Sequence, residues 1–180
     1  MIPTENQAKA LWEKYHLPEK KRIHVSLVAR VAVFLASECQ KKITGYRINI
    51  PLLFVSALLH DIDKAIPKLP GEQHPDTGVR VLREEGMDEV ADIVKTHSLH
   101  SILDPKIRPA TWEEKLLYLA DKTVKLQIIT VDERFKLWND EHLPSDAQHT
   151  LDTCYPLVKA LEKEVLDLIE IKSEDIARLA

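Results

Sequence analysis

The sequence predicts an all-α protein built as one domain, and three observations lead to this prediction. Apolar residues recur at helical spacing in almost every segment, and no segment alternates with period two between turn signals. Candidate caps precede several of these segments. The chain has 180 residues, 44% of them hydrophobic. Because that length suits one core better than two, we expect a single domain over residues 1–180.

The first three predicted helices each have a recognisable boundary. Thr4 is a candidate N-cap for the segment TENQAKALWEKYH. RIHVSLVARVAVFLASEC carries apolar residues around most of its circumference, which predicts a buried helix that stops near Gly45. Asn49 is a candidate cap for NIPLLFVSALLH, with Pro51 in the first turn, where its missing N–H costs little.

The remaining segments also have helical patterns. PDTGVRVLREEG and MDEVADIVKTH are short and amphipathic, and in TWEEKLLYLADKTVKL the residues Thr111 and Glu114 have the spacing of a capping box. Two more helices are predicted from about Val131 onwards. The second of them contains Pro156, which predicts a helix start or a kink at that residue.

Composition excludes several classes of function. The net charge is −4 and the longest basic run is KKR at 20–22, so extended nucleic acid is not an expected partner. Four glycines leave no Gly-rich phosphate loop or dinucleotide fingerprint. Cys39 and Cys154 are far apart and form no CxxC pair, which favours a reducing cytoplasm. We find no apolar signal core and no run of membrane-spanning length, so a cytoplasmic protein without membrane contact is predicted.

Three apolar segments each carry polar residues to positions where burial is expected. These residues are His24, the pair His60 and Asp61, and Asp121. Taken singly, His24 is more simply explained as a hydrogen-bonded core histidine and Asp121 as a surface carboxylate. Burying all of them unpaired would be costly, whereas a divalent cation would satisfy them together, since imidazole and carboxylate are its ordinary ligands. The set therefore favours a metal site.

In this order, His24, the His-Asp pair at 60–61 and Asp121 within LADK resemble the HD superfamily of metal-dependent phosphohydrolases. HPDTGVRVL from His74 is similar to the "HP–G" element of that superfamily. IVKTHS around His97 is similar to the segment whose histidine closes a second metal site in its binuclear members.

The resemblance covers residues 22–126 and implies an HD-domain-like helical bundle, with residues 127–180 as a helical C-terminal extension. Lys122, directly after the last aspartate, is also similar to a lysine of the HD-type dinucleoside tetraphosphate hydrolases. The sequence departs from the common HDIG pattern at Asp63, where many relatives have glycine.

The resemblance also implies a ligand set. The primary metal site would consist of His24, His60, Asp61 and Asp121, and in a binuclear site Asp61 would bridge while His74 and His97 bind the second ion. The alternative for these last two, ordinary loop histidines, stays open. Ligands of this kind without cysteine disfavour structural zinc and suit one or two Mn²⁺, Fe²⁺, Ni²⁺, Co²⁺ or Mg²⁺ ions.

The resulting prediction is a metal-dependent phosphohydrolase. Metal-bound hydroxide would attack a phosphomonoester or phosphodiester of a small molecule, with a nucleotide favoured. A catalytically inactive HD domain that acts as a metal- or nucleotide-binding regulatory module is the alternative. The enzyme is favoured because every ligand position is filled. The oligomeric state is not predicted.

Asp61 and two further residues are candidates for catalysis. Lys64, one turn beyond His60, would hold a substrate phosphate as a point charge. His100, three residues after His97, would share its helix face and donate a proton or a phosphate contact. A solvated lysine and a surface histidine are the alternatives. Asp63 is predicted to cap the loop rather than to orient a ligand. Three other histidines are predicted at the surface: His16, His142 and His149.

Overall fold

The structure is a computed structural model that describes residues 2–179, and it is all-α over that range. No strand occurs among these residues; they form nine α-helices, which are, in chain order, α1 (Glu5–Lys14), α2 (Glu19–Lys42), α3 (Ile50–Leu59), α4 (Asp76–Glu84), α5 (Asp88–Val94), α6 (Trp112–Lys122), α7 (Val131–Asn139), α8 (Ser145–Ile169) and α9 (Ser173–Leu179). Two short 3₁₀ helices, Ile62–Ala65 and Leu99–Leu103, follow α3 and α5. The predicted fold class is confirmed.

Helix α2 lies at the centre of the bundle. It packs against α3, α6 and α8, and α3 in turn contacts α5 and α6. One contiguous set of buried apolar side chains extends from Ala8 in α1 to Ile176 in α9. This packing surrounds the inner face of α2 with three other helices, which explains why its apolar residues occupy most of its circumference.

The three caps predicted from the sequence are confirmed. The side chain of Thr4 accepts a hydrogen bond from the backbone of Gln7, and Asn49 does the same for Leu52. Thr111 and Glu114 form the predicted capping box at the start of α6. These caps satisfy backbone N–H groups that have no partner within the helix.

The C-terminal region differs from the prediction in two respects. The residues from Val131 to Leu179 form three helices rather than two, because α9 follows α8 as a separate element. Pro156 is not a helix start, since α8 begins at Ser145 and continues through it. Tertiary contacts of α8 with α2, α6 and the 3₁₀ helix Leu99–Leu103 hold this longer helix against the core.

Helix α2 corrects the expectation that no segment reaches membrane-spanning length. By length and composition it is long and apolar enough to cross a membrane. Half of its most apolar window is buried within the protein, and core helices of soluble proteins meet the same criterion. The apolar composition is therefore already accounted for by the contacts of α2 with its neighbours.

Candidate metal centre

Six side chains from separate parts of the chain converge at one end of α2, α3 and α6. We call them the His–Asp cluster: His24 of α2, His60 and Asp61 after α3, His74 before α4, His97 after α5 and Asp121 of α6. The Nε2 atom of His24 lies 3.0 Å from Asp121 Oδ1 and 3.9 Å from Asp61 Oδ2. The predicted convergence of these three segments is thus confirmed.

One half of the cluster consists of His24, His60 and Asp121. The Nε2 atom of His60 lies 3.4 Å from Asp121 Oδ1, the same oxygen that faces His24. One donor atom from each of the three residues lies within 4.8 Å of the others. Such spacing allows all three to reach a single ion, because metal–ligand bonds are about 2.0–2.6 Å long.

Asp61 connects this half to the other. Its Oδ2 faces His24, whereas its Oδ1 lies 3.7 Å from Nε2 of His74. The Nε2 atoms of His74 and His97 are 3.0 Å apart, and His60, Asp61 and His97 form a second group with donors within 4.8 Å. The two oxygens of one carboxylate therefore face two different sets of histidines, which is the position of a bridging ligand.

Hydrogen bonds fix the tautomer of all four histidines in the cluster. Each Nδ1–H donates to an oxygen: His24 to Lys125 O (3.0 Å), His60 to Ala57 O (2.7 Å), His74 to Asp63 Oδ2 (2.8 Å) and His97 to Val94 O (2.6 Å). An oxygen of a carbonyl or carboxylate can only accept, so each Nδ1 carries a proton, and in the neutral form of each ring Nε2 carries the lone pair.

These lone pairs point at one another and at carboxylate oxygens. His74 and His97 face each other through Nε2, and Nε2 of His60 is buried without a hydrogen-bond partner among the described residues. A buried acceptor without a donor is costly, and facing lone pairs repel unless a cation or proton lies between them. The donor set therefore fits a divalent metal, for which imidazoles with a bonded Nδ1–H are ordinary ligands.

Basic side chains surround the two carboxylates of the cluster. Lys21 lies 2.7 Å from Asp61 Oδ2, and Lys64 lies 3.4 Å from Asp61 Oδ1. Burial alone would raise the pKa of Asp61, but His60 and the two lysines hold that pKa far below its usual range. Asp61 is therefore an anion at neutral pH and available to a cation.

Asp121 is also held ionised, by a lysine inside the core. Burial opposes its charge, but Lys122 at 2.9 Å and the His24 ring keep the pKa of Asp121 well below its usual range. The Lys122 side chain is only 1% exposed; its ammonium donates to the backbone oxygen of His97 and lies 3.9 Å from the centre of the Tyr118 ring. Lys122 thus links the segment of Asp121 to that of His97.

The pKa of His97 is lowered well below that of a free histidine. Burial is the main cause, and protonation of the neighbouring His60 or His74 would lower this pKa further. A neutral ring is the form that binds a metal, so the surroundings of His97 favour the ligating state.

The structure places the remaining predicted residues differently. Lys64 lies at the cluster, as its contact with Asp61 shows. His100 does not: its side chain is exposed, and no hydrogen bond or ion pair among the described residues joins it to the cluster. Because α5 ends at Val94 and a separate 3₁₀ helix begins at Leu99, the shared helix face proposed for His97 and His100 does not exist.

Two predictions about other polar residues have opposite outcomes. Asp63 is not a loop cap, because its carboxylate accepts the Nδ1–H of His74 instead. The surface positions of the other three histidines are confirmed, and they are His16, His142 and His149.

Two features of the site were missed from the sequence: the contact of Lys21 with Asp61, and the burial of Lys122. Lys21 lies three residues before His24, and this spacing places both on one face of a helix, which is a usable signal. Nothing in the local sequence marks Lys122 as buried, because its partner on the His97 backbone is distant in the chain.

Comparison with known proteins gives one family and one relative. The model of the HD domain matches residues 22–126. An uncharacterized protein of Methanocaldococcus jannaschii is 31% identical over an alignment 137 residues long, which covers 68% of this chain and 79% of that protein. No solved structure matches the chain significantly.

Proposed function

The chain belongs to the HD domain family, and from this membership and the His–Asp cluster we propose that it is a metal-dependent phosphohydrolase. Its substrate would be a small phosphorylated molecule, with a nucleotide favoured. The observation that carries the proposal is the set of four imidazoles whose Nδ1 protons are already bonded, so that four Nε2 lone pairs converge on two ionised carboxylates.

The ligands of the proposed primary ion are His24, His60, Asp61 and Asp121. A second ion would be held by His74 and His97, with Asp61 as the bridge. Four imidazoles against two carboxylates favour Mn²⁺, Fe²⁺, Co²⁺ or Ni²⁺ over Mg²⁺, which prefers oxygen ligands. When bound, such a cation supplies Lewis acidity: it acidifies water and neutralises charge on phosphoryl oxygens.

The surrounding side chains orient the ligands and provide positive charge for the substrate. The hydrogen bonds at Nδ1 keep the four rings oriented, and Lys122 keeps Asp121 ionised and in place. Lys64 and Lys21 have side chains that are 29% and 37% exposed, so they stand between Asp61 and solvent. Both are suited to hold a substrate phosphate as it enters. A catalytic role for His100 stays a prediction.

A second proposal concerns location. Cys39 and Cys154 are both buried and unpaired, which supports a reducing cytoplasm as the place where the protein acts.

The test is a screen of metal-loaded protein against nucleotides and other phosphoesters, with metal content measured on the same sample. Metal-dependent release of phosphate from one substrate class, abolished in Asp61→Asn, is the expected result. Tight metal or nucleotide binding without turnover across the panel would favour the regulatory alternative. Hydrolysis that survives chelation and dialysis would contradict the proposal.

A further inference from the structure

The His74 ring has carboxylates on opposite sides. Its Nδ1 donates to Asp63 Oδ2 at 2.8 Å, and its Nε2 lies 3.7 Å from Asp61 Oδ1. In an imidazole the two nitrogens point away from each other, so a residue that holds Nδ1 cannot also reach an ion at Nε2. Asp61 and Asp63 therefore lie at opposite edges of the same ring.

Asp63 is buried for a charged residue. Its side chain is 2% exposed, and its Oδ1 has no hydrogen-bond partner among the described residues. The 3₁₀ helix that carries Asp63 packs against α4, and a Cβ added at Gly78 of α4 would lie 3.6 Å from Asp63 Cβ. A buried carboxylate with a single partner acts strongly on that partner, because little else neutralises its charge.

The loop that carries His74 has its own support, independent of Asp63. Glu72 accepts hydrogen bonds from Arg80 at 2.6 Å and from Thr77 at 2.7 Å. Asp76 accepts from the backbone N–H of Gln73 at 2.9 Å. The loop backbone is therefore held by Glu72 and Asp76, which leaves the His74 ring as the partner of Asp63.

We infer that Asp63 is a positioning residue for the second metal ion, and this inference rests on the proposed binuclear site. By accepting the Nδ1–H it keeps His74 in the tautomer that presents the Nε2 lone pair to the ion, and its charge makes that lone pair a stronger donor. Carboxylates placed in this way behind a ligating histidine contribute about 10- to 100-fold to metal affinity.

Two aspartates separated by one residue therefore have different roles in the proposed site. Asp61 contacts the ions directly, while Asp63 acts only through His74. Position 63 therefore tunes the affinity of the second ion without altering the ligands of the first.

The experiment titrates Co²⁺ into metal-free protein and follows binding by calorimetry and by the absorption spectrum of the bound ion. Asp63→Ala is expected to weaken the second binding event about 10- to 100-fold and leave the first unchanged. Asp63→Asn keeps an acceptor for Nδ1–H without the charge, so an intermediate affinity is expected. Asp76→Ala, which removes the acceptor of the Gln73 N–H in the same loop but no contact of the ring, is the matched control and is expected to bind both ions as the wild type does.

Three outcomes would overturn the inference. If Asp63→Asn loses the first ion as Asp61→Asn does, Asp63 is a direct ligand. If Asp76→Ala and Asp63→Ala behave alike, the effect belongs to the loop. A wild type that binds one ion leaves Asp63 without a role in metal binding, although hydrolysis by that protein would keep the phosphohydrolase proposal standing. If the protein binds two ions but hydrolyses no substrate, the phosphohydrolase proposal is refuted, while the measured metal affinities still test the role of Asp63.

Discussion

The Nε2 atoms of His74 and His97 lie 3.0 Å apart, and the Nδ1–H of each ring is already donated elsewhere. Neither ring therefore has a spare proton to place between the two nitrogens without becoming positively charged. The low pKa of His97 opposes that charge, because the ring is buried next to other histidines. A metal ion resolves the conflict, since it accepts both lone pairs.

The number of ions can be tested with these two histidines. We expect His74→Ala and His97→Ala each to lose the weaker ion and most of the rate while keeping the first ion, whose ligands are untouched. Metal analysis by mass spectrometry on protein dialysed at increasing stringency measures this. One ion per chain in fully active wild type would decide against the binuclear site.

The convergence of the four residues proposed for the primary site was predictable because each of them is marked locally. His24 lies in a helix that is apolar on most sides, His60 and Asp61 end another, and Asp121 closes a third. Polar residues in such surroundings indicate a shared partner regardless of how the helices are arranged. The order of the residues along the chain then pointed to the HD superfamily.

The roles of Asp63 and His100 depend on three-dimensional structure and were not predictable. Asp63 meets His74 only because the loop between them folds back over the 3₁₀ helix Ile62–Ala65. His100 does not share a helix face with His97, because α5 ends at Val94 and three residues no longer correspond to one turn beyond that point. Helical spacing predicts contacts only within an unbroken helix.

Removal of the bridging carboxylate is the strongest test of metal dependence. Asp61→Asn keeps the size of the side chain but removes the anionic ligand that faces both sets of histidines. We expect loss of bound metal and a fall in hydrolysis of at least about 100-fold, more than replacement of an outer partner causes. His142→Ala, an exposed residue, is the control and should change neither quantity. Retention of full activity after chelation would contradict the mechanism.

The metal-free protein should become less stable in mild acid because of His97. Its pKa is lower in the folded than in the unfolded state, so between the two values the unfolded chain binds a proton that the folded protein does not. This contribution to stability is present above the unfolded pKa of about 6.5 and is lost as the pH falls below it, by at most about 1.4 kcal/mol per pH unit.

Denaturant titrations at pH 7.5 and 5.5 measure this effect. The difference in unfolding free energy between wild type and His97→Gln isolates the contribution of His97 from that of the other titrating groups. We expect the wild type to lose more stability than the variant on acidification. An equal loss in both proteins would show that His97 does not remain neutral.

Lys122 is predicted to stabilise the fold as well as the site. Lys122→Met keeps much of the length but leaves the Asp121 carboxylate and the His97 carbonyl without their donor. Removing one partner of a buried charge-assisted contact costs about 1–3 kcal/mol, so the metal-free variant should unfold at lower denaturant concentration. Lys125→Met, at an exposed lysine, is the matched control and should change stability little. Unaltered stability of Lys122→Met would show that the buried ammonium is not needed.

The last prediction separates metal binding from substrate binding at Lys21. Its ammonium lies 2.7 Å from Asp61 Oδ2, so an ion that binds this oxygen would have to displace it. Lys21→Met should therefore bind the first metal more tightly, since the carboxylate no longer has to release an ammonium. In the loaded enzyme the displaced ammonium faces an incoming phosphate, so the same variant should have a KM raised by about 10-fold, at the low end for a lost hydrogen bond to a charged group. Lys20→Met, an exposed neighbour, is the control and should alter neither constant. Weaker metal binding with an unchanged KM would mean that Lys21 serves only to hold Asp61 in place.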